Sequence, residues 1–130
     1  MSMPRQPGRA ARLQAALDRD GATCIWCGRQ LSTRVPATTE HVVPRVKGGP
    51  SWAENEVAAC RRCNSQRGHL GPVDWYEECA RRGWQPDGPR LSAALSALAD
   101  AIEQRGGQRR ARPYLGAQLR RLERRGHLAP

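Results

Sequence analysis

Two Cys-x-x-Cys pairs, Cys24–Cys27 and Cys60–Cys63, flank the 32 residues from Gly28 to Ala59. In a reducing compartment paired cysteines favour metal over disulfides. Four thiolates suit one tetrahedral zinc ion, with each two-residue spacer turning a knuckle that presents two sulfurs. The pairs therefore predict a four-cysteine zinc site made of Cys24, Cys27, Cys60 and Cys63. The gap exceeds the roughly 15–20 residues of a plain zinc ribbon, so it has room for a hairpin. A metal staple also suits the rest of the chain. Its 130 residues allow one compact domain. Only 38% are hydrophobic and none is Phe, against roughly 45–50% in an average globular protein. Cys79 lies outside both pairs and reads as a half-buried helix residue packing as a small hydrophobe.

The elements around the pairs follow from spacing. Residues 1–8, with Pro4 and Pro7, read as a disordered N-terminus. Leu13 and Leu17 give helical spacing over Arg9–Arg19, and Gly21 ends it. Cys24–Gly28 is a tight knuckle whose Gly28 is free to take positive φ. Thr38–Val43 is rich in β-branched residues and predicts a strand, stopped by Pro44. A Lys47–Pro50 loop and a second strand, Glu56–Ala59, follow, and a short helix starts at the second knuckle over Arg61–Gly68. Residues 9–71 thus form a core in the order knuckle, strand, loop, strand, knuckle, helix. Residues 72–130 read as a helical extension that packs on the core and has an Arg-rich end. Its helices are Val73–Arg82, an amphipathic stretch through Leu91, Leu95, Leu98 and Ile102 that ends at Gly106-Gly107, and a last helix opened by Pro113. That last helix carries Leu115, Leu119 and Leu122 on one face and Arg120, Arg121, Arg124 and Arg125 elsewhere. Trp75, Tyr76 and Trp84 are expected in the core of the extension, Trp52 in hairpin packing, and His127 in the tail without a role.

Twenty-two Lys and Arg against 12 Asp and Glu leave a net charge of +10, and Lys47 is the only lysine. Arg grips phosphate with a bidentate fork, so the imbalance favours a nucleic-acid partner. The Arg-rich last helix reads either as a solvated face or as a DNA-backbone contact. No apolar run approaches the ~20 residues of a membrane span, and residues 1–12 carry no apolar stretch of a secretory signal. These features predict a cytoplasmic protein with no membrane partner, of bacterial or phage origin by its Arg-, Ala- and Gly-rich composition.

Between and just after the cysteines stand Glu40-His41-Val42-Val43-Pro44, Gly48-Gly49, Asn55 through Ala59, and Asn64 with Arg67-Gly68. With Cys24-x-x-Cys27 and Cys60-x-x-Cys63, this pattern resembles the HNH endonucleases of the zinc-stapled type over about residues 22–69. The resemblance implies an α+β fold: a small ββα-metal core with a four-cysteine zinc site, flanked by N-terminal and C-terminal helices. It also implies a metal-dependent endonuclease that nicks or cuts DNA, double-stranded in the expected case. His41 would be the general base. Glu40 and Asn64 would hold a catalytic divalent cation, Mg²⁺ or Mn²⁺, and Asn55 would brace the loop that orients His41. The pattern here is H-N-N, with Glu40 where the family more often has Asp. Arg67, Arg45 and Lys47 are candidate phosphate contacts, and His69 is a structural or phosphate-contacting residue.

The chemistry is consistent with those residue types. Phosphodiester hydrolysis builds negative charge on the phosphate and then on the leaving oxygen, and a hard cation on oxygen ligands stabilises both. A histidine titrating near pH 6.5 can take a proton from water. The alternative is a non-catalytic zinc-ribbon module that only binds nucleic acid, which gives Glu40, His41 and Asn64 no task. A zinc-stabilised protein–protein adaptor would leave the charge unexplained.

Overall fold

The computed structural model describes residues 7–124; the expectations for residues 1–6, and those for Arg125 and His127, lie outside the described residues. Helix α1 spans Arg9–Asp20 and ends at Gly21, where φ is +89°. Strands β1 (Ala37–His41) and β2 (Glu56–Cys60) form an antiparallel hairpin. Helix α2 (Arg61–Arg67) follows β2 directly. Helices α3 (Pro72–Arg81), α4 (Gly88–Arg105) and α5 (Ala111–Arg124) complete the chain. The fold is α+β, with five helices and one two-stranded sheet among the described residues.

The first knuckle closes on itself through Cys24 N–H to Arg29 O and Gly28 N–H to Cys24 O, each 2.9 Å. Gly28 takes φ +80° there. Between the two cysteines the chain buries Ile25 and Trp26 completely. The knuckle residues are thus part of the core, together with Val42, Val43 and Val57 of the hairpin and Val73, Trp75, Leu91, Leu95 and Leu98 of the extension. The extension packs on the core as one cluster and leaves no separate apolar interior. Cys79 is fully buried, deeper than the half-buried position expected, because the T-shaped Trp75–Trp84 pair (6.1 Å between centroids) closes over the same side of α3.

Several boundaries shift from the sequence expectations. Strand β1 stops at His41 rather than Val43, since Val42 N–H bonds to Asn55 O while Val43 bonds to the Asn55 side chain. Helix α5 begins at Ala111, two residues before Pro113, because its first turn is closed by Arg112 N–H to Gln108 O. No described helix is long and apolar enough to cross a membrane.

Candidate active site and metal centre

The four cysteine sulfurs lie within 4.8 Å of one another, and all four residues are buried. Cys27 Sγ and Cys60 Sγ are 3.9 Å apart. A tetrahedron with metal–sulfur bonds of about 2.3 Å has edges of about 3.8 Å, so the cluster fits a zinc ion. Its surroundings favour thiolates. Arg29 donates from Nε to Cys27 Sγ (3.4 Å) and from Nη2 to Cys60 Sγ (3.1 Å). Cys24 is pushed down to about 4, first by the hydrogen bond from Cys63, with the backbone amides of Cys60, Cys27 and Trp26 adding to it. The same bond pushes Cys63 up. Four sulfurs would saturate such an ion and leave it no open position for catalysis.

A pocket of about 350 Å³ opens beside the hairpin, and Glu40, His41 and Asn64 all line it. Glu40 and His41 are neighbours on β1, where successive side chains normally face opposite ways. They meet at one pocket because β1 ends at His41. Asn64 reaches it from α2, and its Nδ2 lies 3.4 Å from Thr39 O.

His41 is half-buried, and its Nε2 sits 3.0 Å from the Ser51 hydroxyl. Burial is the main influence on its ring and lowers its pKa below the ordinary histidine value. Glu56 opposes that, while Arg45, Arg12 and Arg9 reinforce it. Asn55, fully buried, takes Val43 N–H on Oδ1 (2.9 Å) and donates from Nδ2 to Val43 O (3.1 Å) and Pro50 O (2.9 Å). Its amide therefore ties the end of β1 to the loop that carries Ser51.

Glu40 is 4% exposed. Trp26 Nε1 donates to its Oε2, and Arg67 Nη1 lies 3.2 Å from its Oε1. Burial pushes the carboxyl above the usual range, against the pull of Arg67 and Trp26. Each carboxylate oxygen carries two lone-pair directions, so one remains on each for a cation. An oxygen set of one carboxylate and one amide suits a hard divalent ion.

The three candidate phosphate contacts separate in space. Arg45 is exposed at the pocket rim. Lys47 lies away from the pocket, 5.8 Å over the Tyr114 ring. Arg67 differs most from expectation. It is 2% exposed, and it donates to His41 O (2.8 Å), Val42 O (2.7 Å) and Leu70 O (2.9 Å) besides pairing with Glu40. With those donors taken inside the fold, Arg67 locks α2 to the end of β1 instead of facing a phosphate. His69 is exposed at the same rim. Trp52 is half-buried against the core, with the Arg105 guanidinium 4.6 Å from its ring.

Ser51 and Glu56 are pocket residues that escaped the sequence reading. Glu56 stands directly across the hairpin from His41 and is 1% exposed. Arg12 of α1 pairs with its Oε2, and its Oε1 has no hydrogen-bond partner among the described residues. Its place just before the apolar Val57-Ala58-Ala59 run was the available signal, because a charge at the start of a buried strand needs a partner.

Residues 24–72 match the family model described as HNH endonuclease. Over this segment the chain is similar to the HNH endonuclease family. The chain is 30% identical over 86 residues to the CRISPR-associated endonuclease Cas9 of Corynebacterium diphtheriae. The match covers 64% of this chain and 8% of that protein, so the chain spans a small part of its relative's length. A crystal structure of the Type II-C Cas9 enzyme from Actinomyces naeslundii is also similar. It shows 23% identity and a TM-score of 0.49 over 65% of this chain and 8% of that one.

Proposed function

We propose that this HNH domain is a metal-dependent endonuclease that hydrolyses DNA phosphodiester bonds, with His41 as general base. The observation that carries the reading is the convergence of Glu40, His41 and Asn64 on one pocket whose wall Asn55 braces. Burial keeps His41 neutral at pH 7, the form a base requires. With Nε2 against the Ser51 hydroxyl, Nδ1 is the ring nitrogen open to take the proton of an attacking water. Glu40 and Asn64 would hold Mg²⁺ or Mn²⁺, which when bound stabilises charge on the phosphate and the leaving oxygen. Arg45 at the rim attracts the phosphate, and the +10 charge makes binding salt-sensitive. The pocket has one base and therefore cuts one strand per event. Zinc has the separate task of holding the hairpin base to the start of α2.

The test is supercoiled plasmid with Mg²⁺ or Mn²⁺, comparing the parent chain with His41→Ala. Nicking by the parent and a loss of roughly 10²–10⁴-fold in the variant are expected. No cleavage, or equal cleavage by both, sinks the proposal and leaves a zinc-stapled nucleic-acid-binding module.

A further inference from the structure

A second groove, about 790 Å³, lies beside the pocket that holds His41. It runs between α1, β1 and the start of α2, and it opens from the catalytic pocket, with which it shares Arg9, Thr39 and Asn64. Its walls carry Arg9 on one side and Arg61 on the other, and no Asp or Glu lines it. Both arginines are exposed, and neither is ion-paired among the described residues. Arg9 makes only long contacts, 3.3 and 3.5 Å, to the Thr39 and Thr38 hydroxyls. The floor is aliphatic, from Ala10, Leu13 and Ala37, and no aromatic ring is present. The groove has neither base nor carboxylate, so it is equipped for binding and not for chemistry.

We propose that the DNA strand cut in the His41 pocket continues into this groove, with its phosphates on Arg9 and Arg61 and its sugars on the aliphatic floor. The proposal rests on the endonuclease reading and adds where the substrate goes. Two exposed guanidinium groups across a carboxylate-free groove match a polyanion, and the shared wall places that polyanion in line with the scissile phosphate. Sequence-blind backbone contact follows, since base stacking needs aromatic platforms and base-edge readout needs a groove-inserted element, and this surface has neither. α1 can hold its wall in place because Arg12 pairs with Glu56 and Arg19 donates to Glu56 O (3.1 Å) and Ala53 O (3.3 Å).

Arg61 tests the proposal, being exposed and outside the catalytic set. Anisotropy of a fluorescein-labelled single strand of about ten nucleotides reads binding without turnover. Arg61→Ala should weaken binding roughly tenfold and reduce the salt slope by about one. Arg61→Glu should weaken it further, and Arg61→Lys should restore most of it. Hydrolysis of bis(p-nitrophenyl) phosphate, too short to reach from the His41 pocket to Arg61, should be the same in parent and Arg61→Ala, while cleavage of the oligonucleotide falls. Zinc content and circular dichroism confirm that each variant is folded. Unchanged affinity in folded Arg61→Ala and Arg61→Glu overturns the groove, as does an equal loss on the small diester. If the parent hydrolyses neither substrate, the endonuclease reading fails on its own, and the anisotropy series still decides the groove.

Discussion

At the scale of single residues, the pocket depends on how burial divides its ionisable groups. His41 is desolvated and faces Arg45, Arg12 and Arg9, so its pKa lies below the ordinary value even with Glu56 opposite. A base works when deprotonated, so activity is present above that pKa and lost below it. The acid limb of kcat/KM is therefore expected below about pH 6.5; a limb above that value, or none between about pH 4 and 8, would remove His41 from the role. Arg67 makes a second prediction. Its donors hold three backbone carbonyls and pair with Glu40, so Arg67→Ala strands a buried carboxylate and should cost about 3–5 kcal/mol of stability. A denaturant titration checks this; a stable Arg67→Ala that only weakens DNA binding would restore the phosphate-contact role. The side chain's identity was visible in the sequence but its direction was not. The carbonyls of His41 and Val42 that it grips lie 26 and 25 residues away and come within reach only once α2 folds against β1. Glu56 was hidden in the same way, since its partner Arg12 is 44 residues away.

At the scale of elements, the Gly48–Asn55 loop ties the end of β1 to Ser51, whose hydroxyl touches His41. Gly49 is required there by close approach: a Cβ would stand 1.8 Å from Val43 O and 2.9 Å from Asn55 Nδ2. Gly48 is required by its φ of +88°. Gly49→Ala must push the loop off Val43 and break the Asn55 bonds, a loss of about 1–3 kcal/mol or more. Because Ser51 on this loop touches His41, cleavage should fall along with the melting temperature; an unchanged melt would mean that the loop is not clamped. Local signals made most elements legible. β-branched residues and Pro44 marked β1, and Gly21 and Gly106 ended α1 and α4 at their observed last turns. The end of β1 was misplaced by two residues because Val42 and Val43 look like strand. They bond instead to the Asn55 backbone and side chain, a long-range choice that propensity does not contain.

At the scale of the whole molecule, the cysteine spacing was sufficient to foresee the four-cysteine cluster, and the extension was expected on the core, but the loop it covers was not foreseeable. Leucine periodicity in α4 indicated an apolar face without naming what it covers. The structure packs α4 against residues 53–55 of the loop, where Arg105 grips Glu54 with bonds of 3.1 and 2.8 Å and stacks on Trp52. The extension thereby supports the loop from outside, while a zinc ion on the four cysteines would support the hairpin from within. The two supports are unequal in energy. Zinc at such sites contributes roughly 10–16 kcal/mol at neutral pH, and an ordinary domain has only about 5–15 kcal/mol in all. Zinc loss would free Cys24 and Cys27, and the residues between them are Ile25 and Trp26, both buried in the shared core. Trp26 also donates to Glu40, so that carboxylate would lose its support in the same event. Removal of zinc by a strong chelator should therefore abolish native near-ultraviolet circular dichroism and DNA cleavage together, with both returning on adding zinc. Retention of the native spectrum in fully zinc-free protein would mean that α3–α5 can hold the knuckle alone, and that the cysteines are not the frame of the site.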